Sequence, residues 1–477
     1  MSKKVNDDEY IEETAEEVEE ASEEYVDEKS ARRIARRKRR IRNQILAYVA
    51  LILIIAAVIV GGLYGVKRVF NIGGSSETAS AGDTESTGDG EYDGSLIVIT
   101  PPEIVLNIPE EVVPEQPVSE VDPELLSLAQ NYISQMSLEE KVAGLFFVTP
   151  ESMMEGVDQA VVAGGKTEKA MNDYAVGGII YTSKNIQSEK QITEMLQKTA
   201  ALSKFPLFTG VEEEGGSVAR ISASIKEAPK MTDASELGLT GDTTGTYNSY
   251  TDIANYMTKL GFNVDFAPNG IVSDSKRSFA SDGETAGSFV YQGVSAIQDH
   301  NVSSAVLDFP GIGMAEGDVT SGRATVEAAE DMLLTSDIVP YRMAVSAESD
   351  FITVTQASYP NIVGDYTPAF MSAEIVNRML RTDLGYTGII ITAPMDVAAV
   401  TSYYTSAEAS VAALNAGCDM LLRPENFKEA YQGVIDAVNN GTLSEERIND
   451  ALTHIYLIKC KSALNAEGNG DAAVELP

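Results

Sequence analysis

Gly385-Tyr386-Thr387-Gly388-Ile389-Ile390-Ile391-Thr392-Ala393-Pro394-Met395-Asp396 is a turn, a short apolar β-branched run and a break at proline. Such a run reads as a strand buried on both faces, with a loop at its C-terminal end. Outward from it, the same pattern recurs at Val142–Val148, Gly177–Tyr181, Leu207–Val211, Val264–Ala267, Ser304–Leu307, Phe351–Thr355 and Met420–Leu422. With Gly388–Ile391 this makes eight runs. Helical stretches lie between them, among them Glu189–Leu202, Thr246–Lys259, Thr285–Asp299, Ala373–Leu384, Ser406–Ala416 and Phe427–Asn439. Strands that alternate with helices argue for a parallel sheet, and eight repeats predict an α/β fold, a closed (β/α)8 TIM-type barrel. A doubly wound open sheet is the structural alternative. In a barrel, chemistry sits in the loops at the C-terminal ends of the strands, which places Ala393 to Asp396 at the working end.

Composition narrows the function classes. The chain has 477 residues, 44% of them hydrophobic, enough to bury one large core or two ordinary ones. Its net charge is −37. Residues 1–68 hold 13 acidic and 13 basic side chains, so the whole excess lies beyond them. An acidic surface argues against nucleic acid and anionic polymers as ligands. Cys418 and Cys460 sit far apart in apolar settings and read as two buried thiols rather than a disulfide. His300 and His454 are the only histidines; they read as surface or packing residues, and without a Cys/His cluster no metal site is expected and no cofactor is implied.

The N-terminal part has a different character. Residues 1–43 form a charged tail, acidic over 7–28 and then basic, with eight positive charges in Arg32–Arg42. Ile45–Val66 follow with no charged residue in 22 positions, long enough to span a bilayer. The positive excess before the span, against only Lys67 and Arg68 just after it, puts the N-terminus in the cytoplasm. No small-residue cleavage site is evident, so residues 44–68 read as an uncleaved transmembrane anchor. Residues 69–122, rich in Gly, Ser, Thr, Asp, Glu and Pro, predict a flexible linker. The barrel is then expected over 123–465, with a disordered tail at 466–477. The expected location is the cell membrane, single-pass, with the barrel outside.

The loop after the third strand reads Gly210-Val211-Glu212-Glu213-Glu214-Gly215-Gly216-Ser217-Val218-Ala219-Arg220. Three carboxylates at a strand's C-terminal end, followed by paired glycines, let backbone approach a ligand closely. An ordinary turn with solvated charge has the same residue types. The loop resembles the Asp-x-Glu-Gly-Gly-Arg-Val-x-Arg motif of glycoside hydrolase family 3 enzymes of the β-N-acetylhexosaminidase (β-N-acetylglucosaminidase) type, with Glu212 for the sugar-contacting Asp and Ser217 for an Arg. Glu139–Phe146, Val176–Ile180, Phe266-Ala267-Pro268, Arg277-Ser278-Phe279, Ala412–Leu422 and Gly441–Lys459 resemble further parts of the family in the same order. The resemblance covers roughly residues 123–462. It implies the barrel fold and a substrate-gripping role for Arg277.

The resemblance also exposes departures. The family's strand entered through Gly-Phe-x-Gly ends at a nucleophilic Asp, and the matching residue here is Ala393. Its Lys-His-Phe-Pro-Gly-His-Gly becomes Leu307-Asp308-Phe309-Pro310-Gly311-Ile312-Gly313, which keeps the backbone framework and replaces both sugar-binding side chains. Its Asp-x-His acid/base dyad becomes Asp318-Val319-Thr320, and a threonine hydroxyl has no pKa near neutrality. Asp396 and Asp318 are the carboxylates left as candidate catalysts, while Glu212, Arg277 and Asp308 are the candidate substrate-binding residues. Either the last three read a sugar, or Arg277 lies among Glu212 and Asp308 in a buried ion-pair cluster. The expected function is a non-hydrolytic, membrane-anchored extracellular domain binding a cell-wall glycan of the N-acetylglucosamine or muropeptide type, or a surface protein. An active hydrolase with relocated carboxylates and a transmembrane scaffold are the alternatives.

Overall fold

Asp122 opens the part of the chain that the computed structural model describes, residues 122–468. Its side chain accepts the Glu124 N–H and starts the helix Pro123–Ser134. A capping box between Ser137 and Glu140 then starts a second helix, Leu138–Ala143. This corrects the first expected strand. Val142 and Ala143 belong to the helix that the capping box nucleates, and only β1, Phe146–Val148, is extended.

The remaining strands are β2 (Gly178–Ile180), β3 (Phe208–Val211), β4 (Glu213–Gly215), β5 (Val218–Ala219), β6 (Val264–Asp265), β7 (Ser303–Phe309), β8 (Phe351–Val354), β9 (Ile389–Thr392) and β10 (Leu421–Leu422). Eight of them form one parallel sheet in the order β10-β1-β2-β3-β6-β7-β8-β9. A bridge between Ile391 and Met420 joins the two ends, so the sheet wraps into the barrel that the eight apolar runs predict. The pair β4 and β5 is a small antiparallel hairpin on the loop after β3, where the sequence shows only a turn. Helices match their expected spans where a side chain caps the start: Ser188 before Glu189–Leu202, Thr405 before Ser406–Ala416 and Asn426 before Phe427–Asn439. Residues Glu374–Asp383 wind as a π-helix.

Aromatic rings fill the barrel. Phe147 stacks on Phe208 and meets Phe266 edge-on, and Phe208 meets Phe351 edge-on. Gly178 and Gly210 make room for Phe147, since a Cβ on either would come within 2.6 Å and 2.8 Å of its ring. The helix Glu445–Gly468 closes the N-terminal end of the barrel. Its Lys459 is buried, donates to the carbonyls of Gly177 and Pro206 and lies over the rings of Phe208 and Tyr456, while burial pulls its amine down to about 7. Cys418 and Cys460 are both free and buried. No helix among the described residues is long and apolar enough to cross a membrane. Residues 466–468, expected to belong to a disordered tail, instead continue the last helix; residues 469–477, the expected charged tail, the anchor Ile45–Val66 and the linker up to 121 lie outside the described residues.

The seam between β9 and β10 is held by side chains as well as backbone. Asp419 is wholly buried; its Oδ2 accepts the Ile390 N–H at 2.9 Å and Arg381 at 2.6 Å, and its Oδ1 takes Arg447 at 3.0 Å and His454 Nδ1 at 3.1 Å. Burial alone would raise this carboxyl, but His454, Arg381 and Arg447 hold it far below the usual carboxylate range. Asp419→Asn would take away the carboxylate paired with Arg381 and one of the two paired with Arg447, which also meets Asp450 at 2.8 Å, at a cost of about 3–5 kcal/mol in urea unfolding at neutral pH. Because the folded value is depressed, the contribution is complete above the unfolded value of about 3.9 and fades as pH falls through the folded one. The gap between wild type and variant should therefore narrow below about pH 4. A gap that stays constant to the acid limit would show that charge is not what Asp419 supplies.

Candidate functional site

The loops beyond the C-terminal ends of β3, β6, β7, β8, β9 and β10 converge on one mouth. The hairpin β4–β5 sends its three carboxylates to different partners. Glu212 takes Arg220 at 3.0 and 2.6 Å. Glu213 turns inward to accept the N–H groups of Ile221 and Ser222, and its own N–H donates to Asp265 Oδ1 at 2.9 Å. Glu214 receives Arg277 in a two-pronged pair, 3.1 and 2.7 Å, and Asn269 Nδ2 at 3.1 Å.

Arg277 is thus bound to Glu214. This corrects the expected grouping of Arg277 with Glu212 and Asp308, which act on it by charge from further away. Period-two alternation puts Glu212 and Glu214 on one side of the extended segment, and the one nearer the β6 loop takes the arginine. Glu214 is also the residue that keeps the family motif's Glu unchanged, a signal present in the sequence. Burial would lower the Arg277 pKa, yet Glu214, Asp308 and Glu212 raise it, so the guanidinium stays charged. Burial raises Glu214 despite Arg277, raises Glu213 despite its backbone donors, and raises Asp265 far above its usual range. Asp265 is wholly buried and its Oδ2 has no hydrogen-bond partner.

Asp308 stands at the end of β7 with φ of 127°, a conformation that L-residues rarely adopt. Among the described residues its one side-chain hydrogen bond is a long one, from Thr353 Oγ1 at 3.4 Å. Burial raises its carboxyl and Arg277 opposes the rise. The framework around it is firm: Leu307 O accepts Gly270 N–H and Tyr341 Oη, and Gly311 O accepts Tyr359 Oη.

Ala393 is buried, with its N–H on Val354 O at 2.8 Å. Asp396 gives Oδ2 to Arg423 at 3.0 and 2.6 Å, while its Oδ1 is enclosed and unpartnered. Asp318 is exposed and closes a turn on Thr320, accepting its N–H at 2.9 Å and its hydroxyl at 2.7 Å; these bonds hold its carboxyl below the usual value. The Ala399 N–H on Val319 O ties this turn to the loop after β9. His300 bonds Ala296 O on the helix before β7, and His454 serves the Asp419 seam, so neither reaches the mouth. Among the described residues, ligand atoms of Asp419, Asp450 and His454 gather within 4.8 Å, but the two guanidinium groups already on Asp419 disfavour a cation there. The mouth therefore offers an arginine, an amide and several carboxyls to a polar ligand, and no free nucleophile at the end of β9.

The family model described as glycosyl hydrolase family 3 N terminal domain matches residues 137–458. A protein named β-hexosaminidase A from Pseudoalteromonas piscicida is 29% identical over 324 residues, covering 60% of this chain and 54% of that protein. A β-hexosaminidase of Mycobacterium tuberculosis is 30% identical over 272 residues, 54% of this chain and 68% of that protein. The structure of a glycoside hydrolase family 3 β-N-acetylglucosaminidase from a Paenibacillus species superposes with a TM-score of 0.64 at 26% identity, over 72% of this chain and 65% of that one. The chain spans about half the length of the first two curated relatives it matches.

The strain at Asp308 yields a direct test. Glycine adopts this φ freely, so Asp308→Gly should recover roughly 1–3 kcal/mol of backbone strain against about 0.5–1 kcal/mol of added unfolded-state entropy. The variant is expected to unfold about 1–2 kcal/mol later in urea. A loss of stability instead would mean that the carboxylate's pull on Arg277 outweighs the strain.

Proposed function

The chain belongs to the family of the glycosyl hydrolase family 3 N-terminal domain, and from that membership we propose a barrel that binds an N-acetylated cell-wall glycan at its mouth without hydrolysing it. The observation that carries this reading is Ala393, a buried methyl group where the family resemblance calls for a nucleophile. A retaining hydrolase needs a nucleophile and an acid/base, with carboxyl groups about 5–5.5 Å apart. Asp396 is a poor replacement, since one oxygen is committed to Arg423 and the other is covered. Asp318 is a poor general acid, because the Thr320 bonds lower its pKa where protonation near neutrality requires a raised one. Arg277, Asn269, Asp308 and Glu214 retain the donors and acceptors that recognise sugar hydroxyls.

One observation favours the second reading, an active β-N-acetylhexosaminidase. Asp396 Oδ1 lacks a partner, so a rotation that freed it from Arg423 would present a carboxylate three residues past the nucleophile position. A protein partner at the same mouth is the third. Residues 44–68 are proposed to anchor the chain in the membrane with the barrel outside; the support is the uncharged run of 22 residues and the eight positive charges before it.

Two experiments test these proposals. The unmodified chain should bind N-acetylglucosamine oligosaccharides in calorimetry and leave a chromogenic N-acetylglucosaminide uncleaved, and Arg277→Ala should abolish binding while the domain stays folded. Turnover that disappears in Asp396→Asn would establish the relocated mechanism instead, and absence of binding at millimolar sugar would move the weight to a protein partner. Protease added to intact cells with an accessible outer surface should remove the barrel and spare the basic N-terminus. A protected barrel would overturn the orientation.

A further inference from the structure

Arg323 lies between two tyrosines on the rim of the mouth, its guanidinium carbon 4.2 Å from the Tyr403 ring centroid and 5.2 Å from that of Tyr366. The three residues come from the loops after β7, β8 and β9; β7 carries Asp308, β8 carries Thr353, and Ala393 directly follows β9. Tyr366 and Tyr403 are each 49% exposed, and Arg323 is exposed too. Residues packed merely to shield one another would be covered, so this exposure leaves room for a further planar or pyranose group.

The platform is built on fixed backbone. Glu316 and Thr325 exchange hydrogen bonds at 2.8 and 2.9 Å, Val326 N–H bonds Ser358 O at 2.9 Å, and Ser358 Oγ donates to Tyr366 O at 2.8 Å. Bridges Thr325–Ser358 and Ser358–Pro368 knit the β7 and β8 loops together, and the Ala399–Val319 bond adds the β9 loop.

Among the described residues, the Arg323 guanidinium forms no ion pair, although the chain as a whole carries a charge of −37. Two acids beside the platform are turned elsewhere, Asp318 onto Thr320 and Asp365, next to Tyr366, onto Thr367. A guanidinium stacked by its faces keeps its N–H edge free, and that fork matches a carboxylate or phosphate in two-pronged fashion.

We propose that Tyr366, Arg323 and Tyr403 form an outer subsite that stacks one sugar ring and pairs a single anionic substituent, carboxylate or phosphate, on the saccharide held at the mouth. The inference rests on the glycan-binding reading and names the chemistry its ligand carries. The chain's negative charge repels a polyanion, so the ligand has one acidic group beside neutral sugar, and local pairing prevails because charges beyond about 8 Å are screened.

Calorimetry on the full-length chain in detergent tests it with three probes: chitobiose, chitobiose phosphorylated at its hydroxymethyl group, and chitobiose oxidised there to a carboxylate. Thermal unfolding of every variant confirms that it is folded. Both acidic probes should bind about tenfold tighter than chitobiose, the scale of one charge-assisted pair. Preference for only one of them identifies which anion the subsite reads. Arg323→Gln should erase the preference, bringing the three probes to one affinity, and Arg323→Lys should restore only part of it, because charge returns without the fork. Tyr403→Ala should weaken all three probes while Tyr403→Phe does not. Equal affinity for the three probes, or a preference that survives in Arg323→Gln, overturns the subsite. If chitobiose binding still depends on Arg277 in that case, the glycan-binding reading stands alone. Acidic probes that bind through Arg323 but ignore Arg277→Ala would instead overturn the inner site and keep the outer one. No saccharide bound by the unmodified chain overturns both.

Discussion

Closing eight short strands into a barrel is the constraint on which the other features depend, and the weakest point is the seam between the last two strands. β10 has two residues, and only one bridge, Ile391 to Met420, joins it to β9 in the ladder. Asp419 makes up the difference. Its backbone N–H donates to Ile390 O and its side chain accepts Ile390 N–H, so one residue serves both polar groups of its neighbour on β9. Buried charge is costly unless it is paired, and here the π-helical segment supplies Arg381 while the terminal helix supplies Arg447 and His454. The outer helices are thereby fastened to the inner sheet by the same carboxylate. The seam in turn sets the position of the mouth, since Met395 N–H bonds Leu422 O and Arg423, at φ of 50°, reaches back to Asp396.

At the other side of the mouth a comparable device positions Arg277. The hairpin β4–β5 turns through Gly215 and Gly216, both at positive φ, and the run Glu212–Glu214 leading into it sends three adjacent carboxylates to Arg220, to a short helix start and to Arg277. Asp265 supports it from below by accepting the Glu213 N–H. Arg277 is consequently held by Glu214 before any ligand arrives. A pre-formed pair of this kind lowers the entropy lost on binding, because the long side chain is already ordered.

The barrel was legible in the sequence because each strand is an apolar run punctuated by turn residues, and three of the helices began where Ser188, Thr405 and Asn426 indicate. The first strand starts later than its apolar run implies, since Val142 and Ala143 are as apolar in a helix as in a strand and the Ser137–Glu140 capping box decides between them. The Asp419 cluster was not legible at all. Its members at 381, 419, 447 and 454 are scattered along the chain, and only the folded barrel brings them within hydrogen-bond distance. The same holds for Arg423 with Asp396, and for Arg323 between its two tyrosines. Glu214 differs in kind, for it keeps the motif's Glu unchanged and so is legible in the sequence, whereas Glu212 is a substitution.

The electrostatics of the mouth sharpen the case against hydrolysis. An acid catalyst needs a carboxyl that keeps its proton near neutrality, and burial raises Glu214 and Asp308 beside Arg277, as it does Glu213 and Asp265 beneath the hairpin. Glu214 has both oxygens bonded to Arg277, a partner that favours its ionised form. Asp308 is freer, with one long bond to Thr353, and is the carboxyl best suited to donate a proton. Yet a general acid alone does not cleave a glycosidic bond; an opposing carboxylate must attack the sugar or activate water. The end of β9 offers a methyl group at Ala393 and an aspartate locked onto Arg423. A raised carboxyl on one side and the Ala393 methyl group on the other are what support the proposal of a mouth that holds a sugar without breaking its bond.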